Sequence, residues 1–247
     1  YIEKLERFGI RIESQQMMTS THVISRYLKQ HYEGKSVYVV GTPSLIQEFQ
    51  YFDMNLTDED PDIVVLGFDT TLTYEKLSKA CHYIRNGCTY FGINPDWNCP
   101  MEGGTFIPDC GSMAKLIEAS TGRFPEFFGK PSKHTLDYII QETGYEPDEI
   151  AIVGDRLYTD IAVADQSDVT SILVLSGEST REDVKTSDVK PTGEAVATMD
   201  KKNVSMNDVA IAAGVSLKTV SRVINEPDSV RESTRDKVHS AMEALGF

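Results

Sequence analysis

Cysteine is scarce in this 247-residue chain, and long apolar runs are missing. The four cysteines, Cys81, Cys88, Cys99 and Cys110, form no Cys-x-x-Cys pair, which argues against both a zinc site and a disulfide framework. Free thiols are typical of a cytoplasmic protein. No apolar stretch is long enough to cross a bilayer, so we expect no membrane partner. The chain is 40% hydrophobic and 25% charged, which is ordinary for globular domains.

Positive charge is also in short supply, and the shortage is uneven. Residues 1–198 carry 17 Lys and Arg against 31 Asp and Glu, whereas residues 199–247 carry seven of each. The whole net charge of −14 therefore lies in the first part. An acidic surface repels nucleic acid, but the neutral tail is not excluded from binding DNA.

The spacing of apolar residues predicts strands alternating with helices through most of the chain. Strands are expected at residues 37–40, 62–66, 89–93, 126–128, 150–153 and 171–175. Helices are expected at residues 1–8, 20–28, 77–84, 111–119 and 132–142, with another ending at 49. This alternation is typical of parallel α/β layers. Residues 179–203 are rich in Ser, Thr, Asp and Lys and are interpreted as a linker, after which only short helices are expected.

One predicted strand ends in Gly154-Asp155, with Asp160 on the loop that follows. A carboxylate at the carboxyl end of such a strand lies where open α/β sheets bind ligands. Two carboxylates on one loop suit a hard cation such as Mg²⁺, which prefers oxygen ligands. A bare Gly-Asp pair is more often a structural helix start, so that alternative stands beside the metal site.

The full run Ala151–Ile161 resembles the fourth motif of the haloacid-dehalogenase (HAD) phosphatases, in the branch of NagD and the nitrophenylphosphatases. Gly129-Lys130-Pro131 resembles the third motif. Segments at residues 39–45, 67–77 and 94–96 resemble the cap of the same branch. The resemblance implies a partial Rossmann-like core with an α/β cap, and hydrolysis of a small phosphorylated metabolite.

The resemblance also implies roles for individual side chains. Lys130 would neutralise charge on the transferring phosphoryl group. Asp155 would ligate Mg²⁺ and Asp160 would hold metal-bound waters. Thr42 and Asp69 would face the substrate from the cap. A surface position is the ordinary alternative for a single lysine, but the spacing of Lys130 from Gly154-Asp155 favours the catalytic role.

The family's nucleophile motif, Asp-x-Asp-Gly-Thr, has only one imitation in this sequence. In the segment 67–71, Gly67 takes the place of the nucleophile, and a glycine cannot attack phosphorus. The family's own motif lies ahead of a helix resembling residues 1–8. We therefore expect half an active site, weak or lost Mg²⁺ binding and no turnover. The strand at residue 151 is expected to have an unpaired edge.

Residues 205–247 resemble the DNA-binding headpiece of LacI-family repressors, which is a small all-α helix-turn-helix of three helices. The matching segments are 206–210, 213–216, 219–225 and 234–235. Ser205 and Asp208 are expected to form a capping box on the first helix. The side chains expected to face inward are Val209, Ala210, Ala213, Val220, Val223, Ile224, Val238, Met242 and Leu245.

The headpiece resemblance implies that the second helix enters a major groove of duplex DNA. Leu217, Lys218 and Arg222 would contact base edges. Phosphate contacts, which position the protein without reading sequence, would come from Ser216, Thr219, Ser221, Asn225 and Thr234. The alternative is a three-helix packing unit with no DNA role.

These resemblances predict a division of the chain into a remnant of a core helix (1–13), a cap (14–122), the second half of a core (123–190), a linker (191–203) and a helix-turn-helix (204–247). Each part is shorter than the members of the family that it resembles. Met199 lies near the point, at about residues 190–200, where the composition of the chain changes. The sequence leaves two hypotheses open. One is a phosphatase-like domain fused to a transcription regulator, and the other is a chimera of two adjacent reading frames without a selected joint function.

Overall fold

A computed structural model describes residues 2–101, 104–195, 205–225 and 229–245. The chain divides into two compact units at Ala195, and each is described separately below as the first and second unit. The described residues include no helix that is long and apolar enough to cross a membrane. The predicted class is confirmed: the first unit is α/β with parallel sheets, and the second is α-helical.

The strands are β1 (Val37–Val40), β2 (Ile63–Leu66), β3 (Thr89–Gly92), β4 (Asn98–Pro100), β5 (Phe106–Pro108), β6 (Glu126–Phe127), β7 (Ala151–Gly154), β8 (Thr170–Val174) and β9 (Gly193–Ala195). The helices are α1 (Ile2–Arg7), α2 (Ser20–His31), α3 (Pro43–Tyr51), α4 (Tyr74–Arg85), α5 (Cys110–Thr121), α6 (Lys133–Thr143), α7 (Arg181–Thr186), α8 (Met206–Ala213), α9 (Leu217–Asn225) and α10 (Glu232–Leu245).

The first sheet is parallel, with the strand order β1-β2-β3-β6. Every residue of β1 and β2 is buried, as expected for a parallel sheet covered on both faces. On one face Ile24 of α2 and Phe49 of α3 pack against the sheet. On the other face Ile84 of α4 and Ile117 of α5 do so. This sheet is therefore the middle of three layers.

The second sheet is also parallel, with the order β7-β8-β9. Leu136 of α6 packs with Ile150 and Val163 in its core. Within the described residues β7 pairs only with β8, so its other edge is open, as the sequence predicts. Burial alternates along β7, and Val153 is 61% exposed.

The structure corrects three sequence interpretations in the first unit. The strand at residue 126, assigned by the sequence to the core, pairs with β3 of the first sheet. Residues 191–203 are not simply a linker, because β9 lies within them and completes the second sheet. A short antiparallel hairpin, β4–β5, was not expected. All these strands have two or three residues, too few to show an apolar alternation.

β9 forms because the neighbouring strand holds it, not because of its composition. The backbone N–H of Ser171 donates to the Thr192 hydroxyl at 3.1 Å, and the backbone N–H of Thr192 donates to the Ser171 hydroxyl at the same distance. A further difference lies at the other end of the unit. The apolar stripe of α1 is not buried, and Phe8 just beyond it is 72% exposed.

The second unit packs α8, α9 and α10 around Val209, Val220, Val223 and Val238. Gly214 has φ of +65° in the turn between α8 and α9, a conformation that favours glycine. Ile224 was expected to face inward, but it is 42% exposed, since the buried stripe of α9 is centred on Val220 and Val223. The capping role of Asp208 and the inward position of Leu245 fall on side chains outside the described residues.

Candidate functional site

Four loops of the first unit meet at the carboxyl ends of parallel strands. They follow β3, β6, β7 and β8, and this edge of the sheets is where open α/β folds bind ligands. A polar cavity of about 220 Å³ lies there. Its lining residues are Ser20, Asn94, Asp96, Lys130, Asp155, Arg156, Thr159 and Asp160. The three residues that the sequence assigned to catalysis and metal binding, Lys130, Asp155 and Asp160, are thus brought together.

Lys130 is held in this cavity by an ion pair between its Nζ and Asp160 Oδ1. Asp160 is 7% exposed, and its second oxygen accepts a hydrogen bond from the Arg156 backbone N–H at 3.2 Å. The Lys130 side chain is 51% exposed, so its ammonium can still meet an anion from the cavity. The sequence placed Asp160 beside metal-bound water; in the structure its partner is the lysine.

Asp155 has one oxygen engaged and one without a hydrogen-bond partner among the described residues. Its Oδ2 accepts from the Glu178 backbone N–H at 2.9 Å, which fixes the carboxylate against the loop after β8. A Cβ built on Gly177 would lie under 3.0 Å from this side chain, and one on Gly154 would lie equally close to Asp160. The two glycines therefore allow both carboxylates to approach the backbone.

Asp155 is the side chain of this cavity that could hold a cation. The described residues contain no cluster of three His, Cys, Asp or Glu side chains that converge on a metal position. One carboxylate oxygen of Asp155 is a suitable hard ligand, and Mg²⁺ commonly keeps several waters when the protein supplies one or two carboxylates.

Arg156 links the loop after β7 to two other loops. Its Nε contacts Glu178 Oε2 at 2.7 Å, and one of its terminal nitrogens lies 3.7 Å from Asp96 Oδ1. The Tyr158 hydroxyl donates to Glu178 Oε1 at 2.7 Å. Burial and this contact with Glu178 raise the pKa of Tyr158 to about 12. Asn94 Nδ2 donates to Asp96 at 2.8 Å and so completes the network.

The sequence interpretation did not assign these network residues. Asp96 lies inside the segment 94–96 that resembles the cap, and Arg156 lies inside the run Ala151–Ile161. Glu178 lies on the loop after β8. The convergence of these segments at one sheet edge is the signal that would have found them.

A larger cavity of about 830 Å³ adjoins the polar one and shares Asp96, Asp155 and Arg156 with it. Its apolar lining residues are Pro95, Trp97, Pro100, Phe106, Pro131 and Tyr158. Trp97 is the single tryptophan of the chain and is 52% exposed. Phe106, on the β4–β5 hairpin, is 67% exposed.

Thr42 and Asp69, expected to face the substrate from the cap, line neither cavity. The Thr42 hydroxyl caps α3 by accepting from the Leu45 backbone N–H at 3.3 Å. Asp69 is 2% exposed and pairs with Lys76 Nζ at 2.7 Å. Its other oxygen accepts from the backbone N–H and the hydroxyl of Thr71. Both oxygens of Asp69 therefore stabilise its own loop.

In the second unit the residues expected to contact DNA lie mostly on one side of α9. Lys218, Ser221, Arg222 and Asn225 follow helical spacing, and Leu217 is 48% exposed beside them. Lys218 and Arg222 are exposed.

Several of the expected phosphate contacts also stabilise the helices. The Ser216 hydroxyl caps α9 by accepting from the Thr219 backbone N–H at 3.2 Å. The Ser216 and Thr219 hydroxyls lie 2.8 Å apart. Asn225 Nδ2 donates to the Ser221 carbonyl at 3.0 Å. Thr234, which is partly buried, lies in the first turn of α10.

The first unit has parallel α/β sheets with a polar cavity at their carboxyl edge, and the second unit is a helix-turn-helix. Family comparisons agree with both. The HAD-hydrolase-like family matches residues 127–199, and a family of haloacid dehalogenase-like hydrolases matches residues 1–55. The lacI family of bacterial regulatory proteins matches residues 205–247.

Individual relatives are similar over most of the chain. An acid sugar phosphatase of Staphylococcus aureus (strain MRSA252) is 34% identical over 206 residues, which are 81% of this chain and 79% of the relative. The chain belongs to the haloacid dehalogenase-like hydrolases, among the NagD- and nitrophenylphosphatase-like enzymes, and carries a LacI-type helix-turn-helix at its carboxyl end.

Solved structures show the same fold. A 4-nitrophenylphosphatase from Thermotoga maritima has a TM-score of 0.75 at 39% identity, covering 79% of this chain and 75% of that one. NagD from E. coli K-12 has a TM-score of 0.72 at 30% identity, covering 83% of this chain and 79% of that one.

Proposed function

We propose that the polar cavity of the first unit binds the phosphate group of a small phosphorylated metabolite together with Mg²⁺. The observation that carries this proposal is the Lys130–Asp160 pair beside Asp155 at the carboxyl edge of the sheets. A half-exposed ammonium fixed by a buried carboxylate is already oriented for a phosphate oxygen. The names of the acid sugar phosphatase and nitrophenylphosphatase relatives support the same class of ligand.

Each residue has a distinct part in this binding. Lys130 neutralises negative charge on the phosphate, and Asp160 orients Lys130. Asp155 holds the cation, which supplies further charge neutralisation when bound. Gly177 and the Glu178 backbone N–H keep Asp155 in place.

We further propose that the 247-residue polypeptide binds phosphate without hydrolysing its esters. In the part of the chain that the structure describes, the carboxylates lining the polar cavity are Asp96, Asp155 and Asp160. Asp160 is paired with Lys130, Asp96 with Asn94 and Arg156, and Asp155 is committed to the loop after β8 and to the cation. A carboxylate engaged in this way is a poor nucleophile toward phosphorus.

Two measurements test these proposals. With Mg²⁺, hydrolysis of 4-nitrophenyl phosphate should not exceed the protein-free rate; turnover that requires Mg²⁺ and is lost in Asp155→Asn would contradict this.

Titration with inorganic phosphate, followed by Trp97 fluorescence, should show binding. Lys130→Ala should weaken it about tenfold, the usual size of a charge-assisted contact at a half-exposed site. Lys133→Ala, which removes the same charge outside the cavity, should leave it unchanged.

The second unit favours a second function, sequence-specific binding of duplex DNA as part of transcription regulation. Its motivating observation is the exposed face of α9, with Lys218 and Arg222 one turn apart beside Leu217. Arg222 contacts a guanine edge, Leu217 offers apolar contact and Lys218 also reaches a base edge. The expected phosphate contacts of Ser216, Thr219, Ser221, Asn225 and Thr234 belong to the same proposal.

DNA binding by a single headpiece should be weak, because repressors of this type hold two half-sites with one dimer. The test therefore uses the whole chain with a dimerising coiled coil fused to its carboxyl end. Arg222→Ala should then weaken binding to a palindromic site by about 1–3 kcal/mol per contact, mainly at a single base-pair position. Fluorescence anisotropy with a matched site and with that base pair changed decides the role. An equal loss on both sites would make Arg222 a phosphate contact.

A helix-turn-helix at residues 204–247 and a cytoplasmic location complete this proposal. Joining of two reading frames without a joint function is its alternative. A change in DNA affinity caused by a ligand of the first unit would favour a selected fusion over that alternative.

A further inference from the structure

A third cavity of the first unit, of about 410 Å³, lies where α2 faces α6 and the end of α3, and is called the α2 cavity below. The side chains of α2 that line it form a polar stripe at helical spacing: His22, Ser25, Arg26, Lys29 and Gln30. Phe52, directly after α3, and Tyr138 and Glu142 of α6 complete the lining. Among the described residues, the α2 cavity shares no lining residue with the two cavities described above.

The lining of the α2 cavity has an excess of positive charge, although residues 1–198 as a whole are acidic. Arg26 and Lys29 bring two positive charges against one negative charge of Glu142, with the histidine counted as neutral. Arg26 Nη2 pairs with Glu142 Oε2. The other nitrogens of Arg26 and the ammonium of Lys29 have no hydrogen-bond or ion-pair partner within the described ranges. One positive charge of the lining is therefore uncompensated.

The Ser25 side chain independently points to a ligand in the α2 cavity. Ser25 is 2% exposed, and its hydroxyl has no hydrogen-bond partner in the part of the chain that the structure describes. A buried hydroxyl without a partner lowers stability, and native proteins contain few such groups. Because Ser25 lines the cavity, a ligand with an acceptor oxygen supplies the missing partner.

Aromatic side chains form the remaining walls of the α2 cavity. The Arg26 guanidinium carbon lies 4.7 Å from the centroid of the Tyr138 ring, which orients the guanidinium. Phe52 is half-buried, and its ring lies edge-on to His22 with the centroids 4.8 Å apart. The His22 Nδ1 accepts the Thr19 backbone N–H at 3.2 Å, so the other ring nitrogen, Nε2, is a donor. The cavity thus combines hydrogen-bond donors with an apolar wall.

We propose that the α2 cavity binds a small aromatic monocarboxylate. Its carboxylate accepts hydrogen bonds from Arg26, Lys29 and Ser25, and its ring packs against Phe52. The planar fork of a guanidinium matches the geometry of a carboxylate. One negative charge balances the uncompensated positive charge, whereas a phosphate dianion adds a surplus negative charge to an acidic unit. The site and its ligand are independent of the proposed phosphate binding at Lys130.

The test compares three probes on the full chain by calorimetry: benzoate, benzamide and acetate. Benzamide keeps the ring without the charge, and acetate keeps the charge without the ring. Each should bind at least about tenfold more weakly than benzoate, since each lacks one of the two interactions. Equal affinity for benzoate and either of the other probes, or no binding of benzoate, would overturn the inference.

Lysine variants locate the bound benzoate. Lys29→Ala should weaken its binding about fivefold, the upper range for an ion pair at an exposed site. Lys4→Ala removes the same charge from an exposed position of α1 and should have no effect. Lys130→Ala, in the polar cavity, should also leave benzoate affinity unchanged, and saturating inorganic phosphate should not displace benzoate. Loss of affinity in Lys130→Ala but not in Lys29→Ala would place benzoate in the polar cavity and contradict the proposal.

Ser25→Ala gives two readouts of opposite sign. Removal of the unpartnered hydroxyl should raise the midpoint of urea denaturation of the unliganded chain, because the folded state no longer buries an unsatisfied group. The same variant should bind benzoate about fivefold more weakly, because one donor to the carboxylate is lost. A hydroxyl with a purely structural role would not produce both changes. A lower midpoint, or an unchanged affinity for benzoate, would refute the assignment of Ser25.

Discussion

Two tyrosines of the first unit differ in whether the side-chain hydroxyl has a hydrogen-bond partner. The Tyr90 hydroxyl is buried inside the sheet and has no hydrogen-bond partner among the described residues. The Tyr83 hydroxyl donates to the Asp58 carbonyl at 2.6 Å. A buried polar group loses its hydrogen bonds to water when the chain folds. Without a partner in the protein this loss lowers the free energy of unfolding, whereas a hydrogen bond within the protein compensates for it.

The same substitution at these two positions should therefore have opposite effects. Tyr90→Phe should raise the free energy of unfolding by about 1 kcal/mol, and Tyr83→Phe should lower it by about 0.5–1 kcal/mol. Urea denaturation of both variants beside the parent chain measures the difference. A loss of stability in Tyr90→Phe would show that its hydroxyl has a partner after all.

Cys110 makes the stability of the first unit depend on alkaline pH. Burial raises the pKa of its thiol from 9.0 to about 12, and the Sγ–H donates to the Leu66 carbonyl at 3.3 Å. A folded pKa above the unfolded value stabilises the fold fully below pH 9.0, and the contribution disappears as pH rises toward about 12. Burial also raises the pKa of Tyr90, which adds to the same trend.

We expect the free energy of unfolding to fall between pH 9.0 and about 12, and to fall less steeply in Cys110→Ala. Denaturation in reducing buffer across this range gives the slope. Cys99→Ala, which removes a thiol from a partly exposed strand, is the control and should keep the slope of the parent. Equal slopes in Cys110→Ala and the parent would refute the assignment.

Among the elements, β7 has an unusual combination of functional end and open edge. Its carboxyl end carries the Asp155 loop, while its edge is unpaired within the described residues and Val153 is 61% exposed. An open edge with apolar side chains is a template for pairing with other chains.

Val153→Lys should consequently reduce self-association, because a charge beside a strand edge opposes pairing. Leu116→Lys adds the same charge at an exposed apolar position of a helix, where Leu116 is 47% exposed, and should have little effect. Sedimentation velocity over a range of concentrations compares the variants. Similar association in Val153→Lys and the parent would mean that the β7 edge is not the contact.

Elements with long apolar patterns were predictable from the sequence, and short ones were not. β1 lies where its buried run predicts, since a strand buried on both faces leaves a continuous apolar signal. β7 also lies at its apolar run, although alternate residues of this strand are exposed. β9 has no such signal and exists because Ser171 and Thr192 bind one another's backbone. Its position depends on a contact between residues far apart in sequence.

The residues of the candidate site also divide into those that the sequence singled out and those that it did not. Lys130, Asp155 and Asp160 were singled out because they belong to contiguous segments that resemble motifs of a known family. The role of Arg156 could not be found from one motif, because it depends on Asp96 and Glu178 from two other loops. Its contacts become apparent only when three loops are placed in space.

At the scale of the whole molecule, charge and ligand class separate the two units. The whole excess of acidic over basic side chains lies within residues 1–198, and the helix-turn-helix lies in the remainder, which has no net charge. Each unit has its own buried cluster, around Ile63 in the first and Val220 in the second. A ligand stabilises the unit that binds it, by an amount set by its concentration and dissociation constant.

Calorimetry of the full chain should therefore show two unfolding transitions that respond to different ligands. Mg²⁺ with inorganic phosphate should raise the temperature of one transition, and duplex DNA should raise only the other, since neither ligand has a reason to bind both units. Ionic strength is kept constant, because DNA binding depends on salt. One transition that both ligands raise would indicate coupled units.

The close approach of Asp155 to Gly177 has a consequence for the gene as well as for the fold. Any single-base change that replaces this glycine adds a Cβ where the carboxylate lies, under 3.0 Å away. The proposed cation site can thus be lost by mutation of a codon that encodes no ligand, while Lys130, Asp155 and Asp160 all remain in the sequence. A search for decayed copies of this site would need to read position 177 as well as the acids.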